Sequence, residues 1–436
     1  MYFTEATIFS NLNGLTYYAS NREDPYITLR DEEDEDEEDI LIQSTDNLLL
    51  AAKTEDDISH LEIYLYDESQ ETGEGGHMYV HHDIMLPAFP LCLEWLDFRV
   101  GRKSAVQGPG NYVAVGTFDP EIEIWDLDTI DTMYPDAILG AQNSGDKKKK
   151  KNAKKSKKPN KEYHTDAVMA LAWNKQHRNI LASASADTTV KLWDLTTQQC
   201  AHSFTHHTDK VQALAWNPLE STALITGSYD KTVAVFDSRA PDARATWRLK
   251  ADVECLRWDP HDSHCYYVST DDGMVQYFDA RNSGAQPIFR LHAHDKAVSA
   301  MDVNSTVQGC IVTGSTEGVV KVWDVKENRP SMVTSRNVKS DLGQVFSITF
   351  CPDAPFNLAM AGSAGKVQIW DIATNAGVRR AFEGRSIIVA NANTEEKIVA
   401  MASDDEPESE EEMDGADIDM NEVAESDYEE ESGDDV

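Results

Sequence analysis

Basic residues are scarce in this chain. It has 39 lysines and arginines against 77 aspartates and glutamates, a formal net charge of −38 over 436 residues. That imbalance excludes a body coated wholesale by nucleic acid, although a local basic patch would still engage phosphate. Long apolar runs are also missing: none nears the ~18 residues that a membrane span requires. Met1-Tyr-Phe-Thr-Glu5 carries no basic segment leading into an apolar one, so no secretory leader is expected. The six cysteines, at 92, 200, 255, 265, 310 and 351, form no Cys-x-x-Cys pair. Several fall in strand-like runs, where a reduced thiol behaves as a small apolar group. Reduced thiols without metal-ligand spacing point to the cytosol or nucleus.

The charge that is present is unevenly placed. Asp31 to Asp39 is an unbroken acidic run, and Ser403 to Val436 holds eighteen acids and no base. Between Lys147 and Lys161 the sign reverses, with ten lysines and no acid. The rest of the chain is itself acidic. Mutual repulsion makes the first run a solvated loop, and the second, poor in aromatics, reads as a disordered tail.

A repeated phrase organises what remains. Leu181-Ala-Ser-Ala-Ser-Ala-Asp-Thr-Thr-Val-Lys-Leu-Trp-Asp194 reads as strand, tight turn, strand; it returns as Leu224 to Asp237 and again as Ile311 to Asp324. Its closing aromatic-Asp pair is found at Tyr66-Asp67, Trp125-Asp126, Trp193-Asp194, Phe236-Asp237, Phe278-Asp279, Trp323-Asp324 and Trp370-Asp371. A second register runs ahead of it: Trp173, Trp216, Trp258, Val303 and Phe350 each stand twenty residues before such an aromatic. Units of about 40–45 residues ending on Trp-Asp are the blades of a WD40-type propeller. The expected fold is therefore all-β: a seven-bladed propeller over 40–383, after a lead-in at 1–39 and before an acidic tail at 384–436. The lysine-rich segment 146–162 is inserted between the second and third blades, and Arg99 to Gly108 forms a smaller surface loop. A closing strand avoids an exposed strand edge, and Tyr26–Leu29 and Val378–Phe382 are both candidates for it.

Each candidate site has two readings. His164, Ser183, Asp187 and Trp193 contain the residue types of a Ser-His-Asp triad, but related sets recur at His207, Thr226, Asp230 and at His294, Thr313, Glu317, Trp323. Repetition favours a structural hydrogen-bonded tetrad over a catalytic centre, which occurs once. His206-His207 and His292-Ala-His294 lack a third ligand at metal spacing and read as structural. No cofactor, small-molecule substrate or membrane is expected. The dense run Lys147, Lys148, Lys149, Lys150, Lys151, Lys154, Lys155, Lys157 and Lys158 reads as a nuclear targeting signal with RNA phosphate contact as a second use. No aromatic interleaves these lysines, so base stacking is not expected from them. Ser403, Ser409, Ser426 and Ser432 each precede an acid by three residues and are candidates for acid-directed phosphorylation. Arg239 and Arg281, in Phe236-Asp-Ser-Arg239 and Phe278-Asp-Ala-Arg281, resemble the Trp-Asp-x-Arg box of substrate receptors for cullin-type ubiquitin ligases. The plainer reading is an arginine at an ordinary turn.

With these residues assembled, the chain resembles the periodic tryptophan protein 1 family of WD40 proteins. The resemblance is carried by Asp24-Pro-Tyr-Ile-Thr-Leu29, Ser44-Thr-Asp-Asn-Leu48, Tyr79-Val-His-His-Asp-Ile84, the lysine insertion, His164-Thr-Asp-Ala-Val168, Leu181-Ala-Ser-Ala-Ser-Ala-Asp187 and Gly227-Ser-Tyr-Asp-Lys231. It implies a nucleolar scaffold in large (60S) ribosomal subunit assembly and pre-rRNA processing, with pre-60S assembly proteins and pre-rRNA, directly or indirectly, as partners. It also implies a longer segment ahead of Asp24-Pro-Tyr than the roughly twenty residues found here. The acidic tail would engage basic proteins. The alternative functions are a chromatin- or histone-binding regulator and the ligase receptor.

Removal of Lys147–Lys158 should leave the propeller folded and shift the protein from nucleus to cytoplasm. Fluorescence microscopy of the tagged deletion checks this, and undiminished nuclear accumulation would refute the targeting assignment.

Overall fold

Seven antiparallel sheets, each built from strands consecutive in sequence, accommodate the repeated phrase. They are arranged as a seven-bladed propeller. The computed structural model describes residues 47–67, 77–105, 108–130, 132–141, 160–385 and 397–400. Blade 3 shows the plan: an inner strand Val168–Trp173, then Ile180–Ser185, Val190–Asp194 and the outer strand Gln199–Phe204. The aromatic-Asp pair falls at or near the end of the third strand in blades 2 to 7, and at the end of Ile58–Asp67 in the first sheet, so the register read from sequence is the register of the sheets.

Burial explains why the middle strands do not alternate. Neighbouring blades cover both faces of each sheet, so Cys265–Thr270 and Tyr112–Thr117 are buried at every residue. Strands with two covered faces read as near-continuous apolar runs. The outer strands face solvent and are mixed: Gln199–Phe204 buries only Phe204.

Inner strands share two further devices. Five of them, including Val168–Trp173 and Val345–Phe350, slip register near their first residue, a repeated bulge on the strand that borders the central channel. At their far ends, the Trp216 indole donates to Ala172 O at 3.0 Å and the Trp258 indole to Ala215 O at 3.1 Å. The second tryptophan register is thus an inter-blade bond, not only core filling. The turn between second and third strands needs a left-handed residue at Thr188, Lys231, Gly273, Gly318 and Gly365. At Gly273 no side chain fits, because a Cβ would lie 2.0 Å from His294 O.

Of the two candidates for the closing strand, Val378–Phe382 does not supply it: Ala376–Ala381 is a short α-helix capped by Asn375, with Val378 and Phe382 fully buried. Tyr26–Leu29 lies outside the described residues. The fourth strand of blade 7 is Lys397–Ala400, paired to Val367–Asp371 inside the segment expected to be tail. Its apolar content is one Ile-Val pair followed closely by acids, too short a signal to read as a strand. Blade 1 is built from Asn47–Glu55, Ile58–Asp67 and His77–Leu86. The seam between first and last blades is apolar packing of Tyr64, Tyr66 and Met78 against Ile369 and Val399. The extra residues of blade 2 include a 3-10 turn, Gly101–Ala105, rather than a free loop. Val100 is buried there, and Gly101 N donates to Leu195 O of blade 3 at 2.9 Å.

Placing a charge in the seam should open it. Val399→Asp is expected to cost about 2–4 kcal/mol in chemical denaturation, an unpaired buried carboxylate, whereas Ala400→Asp, at an exposed position, should be tolerated. Equal stability of the two variants would contradict closure through Val399.

Candidate functional site

The four residues flagged in blade 3 do meet. Ser183 Oγ lies 2.7 Å from His164 Nε2 and accepts the Trp193 indole N–H at 2.8 Å; His164 Nδ1 lies 3.0 Å from Asp187 Oδ2. Because the carboxylate can only accept, Nδ1–H donates to it, which leaves Nε2 of the neutral imidazole to accept from the serine hydroxyl while the serine oxygen accepts from the indole. Asp187 also accepts from Thr165 N and from both the amide and hydroxyl of Thr189. Ser183 and His164 are wholly buried. The hydroxyl is enclosed between its two partners, so the set ties the turn, two strands and the preceding loop together rather than presenting a nucleophile. Burial holds His164 below its ordinary pKa despite the nearby carboxylate. Burial pushes Asp187 upward, but hydrogen bonds from His164, Thr189 and Thr165 outweigh it and hold the group well below the usual carboxylate range.

Other blades vary the theme. Blade 6 keeps the three side-chain contacts of the tetrad, with Glu317 in place of aspartate. Blade 4 keeps His207–Thr226 at 2.8 Å and His207–Asp230 at 3.2 Å, but Phe236 offers no donor and packs edge-on to His206. In blade 2 the Trp125 indole turns to Glu123 on its own strand at 3.1 Å. Blade 5 abandons the tetrad for stacked Tyr267, Tyr277 and Phe289, with Tyr277 donating to buried Asp259 at 2.8 Å.

Three features escaped sequence reading. Asn174, Asn217 and Asn304, each following the last residue of an inner strand, clasp their own loop and donate to the next blade, at Ser221 O, Ser263 O and Pro355 O. The repeated Trp-Asn of 173–174 and 216–217 was the available signal. Lys191 is the second. It is fully buried, and its ammonium donates to Ser203 Oγ at 2.7 Å and to Asn160 O, just past the lysine run. Gly140, on the other side of that run, packs on Trp193 and Tyr163. Both roots of the insertion therefore rest on blade 3. The third is an axial cavity of about 400 Å³ at the channel mouth, lined by Glu94, Leu171, Trp173, Lys175, Trp216 and Arg257 among others.

The remaining predicted residues divide. Lys147, Lys148, Lys149, Lys150, Lys151, Lys154, Lys155, Lys157 and Lys158 lie outside the described residues, as do Ser403, Ser409, Ser426 and Ser432. Arg239 and Arg281 are exposed, and each forks onto the aspartate two residues earlier, Asp237 and Asp279, at 2.7 Å. All six cysteines are free. Among the described residues no group of three histidine, cysteine or acidic side chains is placed to hold a metal, and no helix is long and apolar enough to cross a membrane.

Comparison with known proteins fits this geometry. The pattern described as "WD domain, G-beta repeat" matches residues 157–194, 198–237 and 285–324. These are blades 3, 4 and 6, the ones that retain the histidine contacts. The chain is 49% identical over 400 residues to an uncharacterised WD repeat-containing protein of Schizosaccharomyces pombe, covering 91% of this chain and 75% of that one. It is 38% identical to Periodic tryptophan protein 1 of Saccharomyces cerevisiae, over 91% of this chain and 78% of the relative. With the Periodic tryptophan protein 1 homolog of Drosophila melanogaster it shares 33% identity, over 81% and 73%.

Ser183→Ala should destabilise by about 1–3 kcal/mol, since it strands the indole and the imidazole together. Thr226→Val should cost less, because no indole depends on it. The pH dependence has a definite sign. A native His164 that resists protonation loses stability as pH falls through about 6.5, where the unfolded chain takes up the proton. Wild type should therefore lose part of its advantage over His164→Gln between pH 8 and pH 5. Urea midpoints measure this, and a constant difference would contradict it.

Proposed function

The chain belongs to the periodic tryptophan protein 1 family, and from that premise we propose that it is a non-catalytic scaffold in assembly of the large ribosomal subunit and processing of its pre-rRNA. Family membership over most of the chain is the observation that carries this reading. The physical properties agree with it. Seven blades locked by buried polar contacts give a rigid body whose loops are free to differ, the division of labour expected of a platform for several partners. The site of work in this reading is the nucleolus, and the lysine insertion would bring the protein there and supply phosphate contacts to pre-rRNA. The acidic tail would hold basic assembly proteins by charge complementarity, and phosphorylation at Ser403, Ser409, Ser426 or Ser432 would strengthen its negative field.

The ligase-receptor reading gains nothing from Arg239 and Arg281, whose guanidinium groups are already committed to neighbouring aspartates. A chromatin-binding role is distinguished by fractionation.

Depletion should cause large-subunit pre-rRNA intermediates to accumulate while small-subunit intermediates are unaffected, and the protein should sediment with pre-60S particles. Northern analysis of precursors with gradient fractionation provides the measurement. Normal large-subunit precursors, or co-sedimentation with nucleosomes alone, would overturn the proposal.

A further inference from the structure

The inner strand of each blade borders the channel, and its outward N–H groups need partners. Two blades solve this with an acid reaching into the next blade. Glu94 Oε1 accepts from Trp173 N at 2.9 Å, and Asp302 Oδ2 accepts from Phe350 N at 2.9 Å. The two acids are otherwise unequal. Asp302 Oδ1 also takes the Arg257 Nε at 3.2 Å, so its charge is compensated. No hydrogen bond to Glu94 Oε2 is present among the described residues, and Glu94 lines the axial cavity.

The geometry points to this cavity as a receptor for a basic side chain, an arginine or lysine on an extended segment of a partner protein, with Glu94 as its counter-charge. Arg257 lines the cavity, but it is held by Asp302 and by Leu256 O at 3.0 Å, so it does not ion-pair with Glu94. Lys175 lies at the rim. The walls are Leu93, Leu171, Leu214 and Trp216, apolar surface suited to the methylene stem of a long basic residue. About 400 Å³ exceeds one side chain and leaves room for flanking backbone. The mouth lies among the loops that follow the inner strands, at the opposite end of the channel from the roots of the lysine insertion. The inference is independent of any role given to that insertion.

Burial raises the Glu94 carboxyl to about 7, against the Trp173 amide, Arg257 and Lys175, which all favour its charged form. Cys92 on the same strand also feels it, with its thiol pushed up by burial. An entering cation would stabilise the carboxylate, so binding and deprotonation of Glu94 are coupled. With a free-state value near 7, affinity should fall by about tenfold from pH 8 to pH 6.

The test uses the full chain and a labelled nine-residue Gly/Ser peptide carrying one central arginine, with a citrulline version as the uncharged control. The arginine peptide should bind at least tenfold more tightly than the citrulline peptide at pH 8, and Glu94→Gln, which keeps an acceptor for the Trp173 amide, should erase that preference. Calorimetry on the wild-type protein at pH 7, in buffers of different ionisation enthalpy, should show release of about half a proton per peptide bound. That readout does not depend on folding of the variant. Equal binding of the two peptides, binding of neither, or no proton release would overturn the assignment.

Discussion

A propeller blade has two apolar faces and can cover them only with other blades. That constraint governs nearly everything else in this chain. It explains middle strands buried on both sides, outer strands that carry the polar residues, and a ring that must close. Closure here is face to face: Tyr64, Tyr66 and Met78 of blade 1 meet Ile369 and Val399 of blade 7. The short strand Lys397–Ala400 therefore carries more structural weight than its length implies, because it supplies one side of the seam.

Within that frame, polar contacts fix the blades individually and tie them together. The tetrad of blade 3 binds a turn, two strands and a loop. Several of its counterparts lose members, and three of the losses have local remedies: Glu123 for the Trp125 indole, an edge-on His206 beside Phe236, a tyrosine pair over Asp259. The buried Trp370 indole of blade 7 has no hydrogen-bond partner among the described residues. Between blades, tryptophan indoles and the asparagines after the inner strands perform the same service at the other end of the channel. On blade 6, Arg385 reaches from beyond the C-terminal helix to Asp324 at 2.8 Å, a further staple from outside the repeat. Buried polar groups left unpaired cost more than the bonds themselves contribute, so such networks specify one arrangement more than they add stability.

Blade number, the register of each aromatic-Asp pair and the tetrad were legible in sequence because they repeat. A feature repeated at Trp193, Trp323 and their counterparts announces itself without any knowledge of three-dimensional contacts. What was missed depends on contacts between distant residues. Nothing local in Lys-Ile-Val-Ala at 397–400 distinguishes a closing strand from the start of a tail, and the helix Ala376–Ala381 owes its place to burial of Val378 and Phe382 against blade 6 and 7 residues. Lys191 looked like any strand lysine. Only the fold shows it buried and bonded to the backbone at Asn160. Glu94 gave no signal because its blade's equivalents at this register include Ala172 and Ala215, which are too short to reach the channel edge.

The ring carries a basic insertion rooted on blade 3 and an axial cavity at the opposite channel mouth. The central claim is that this body is a platform for assembly of the large ribosomal subunit. Crosslinking with mass spectrometry, on particles purified through the full-length protein, tests it most directly. The account predicts crosslinks from propeller loops to large-subunit assembly proteins and pre-rRNA. Crosslinks confined to histones, or to subunits of a ubiquitin ligase, would contradict it.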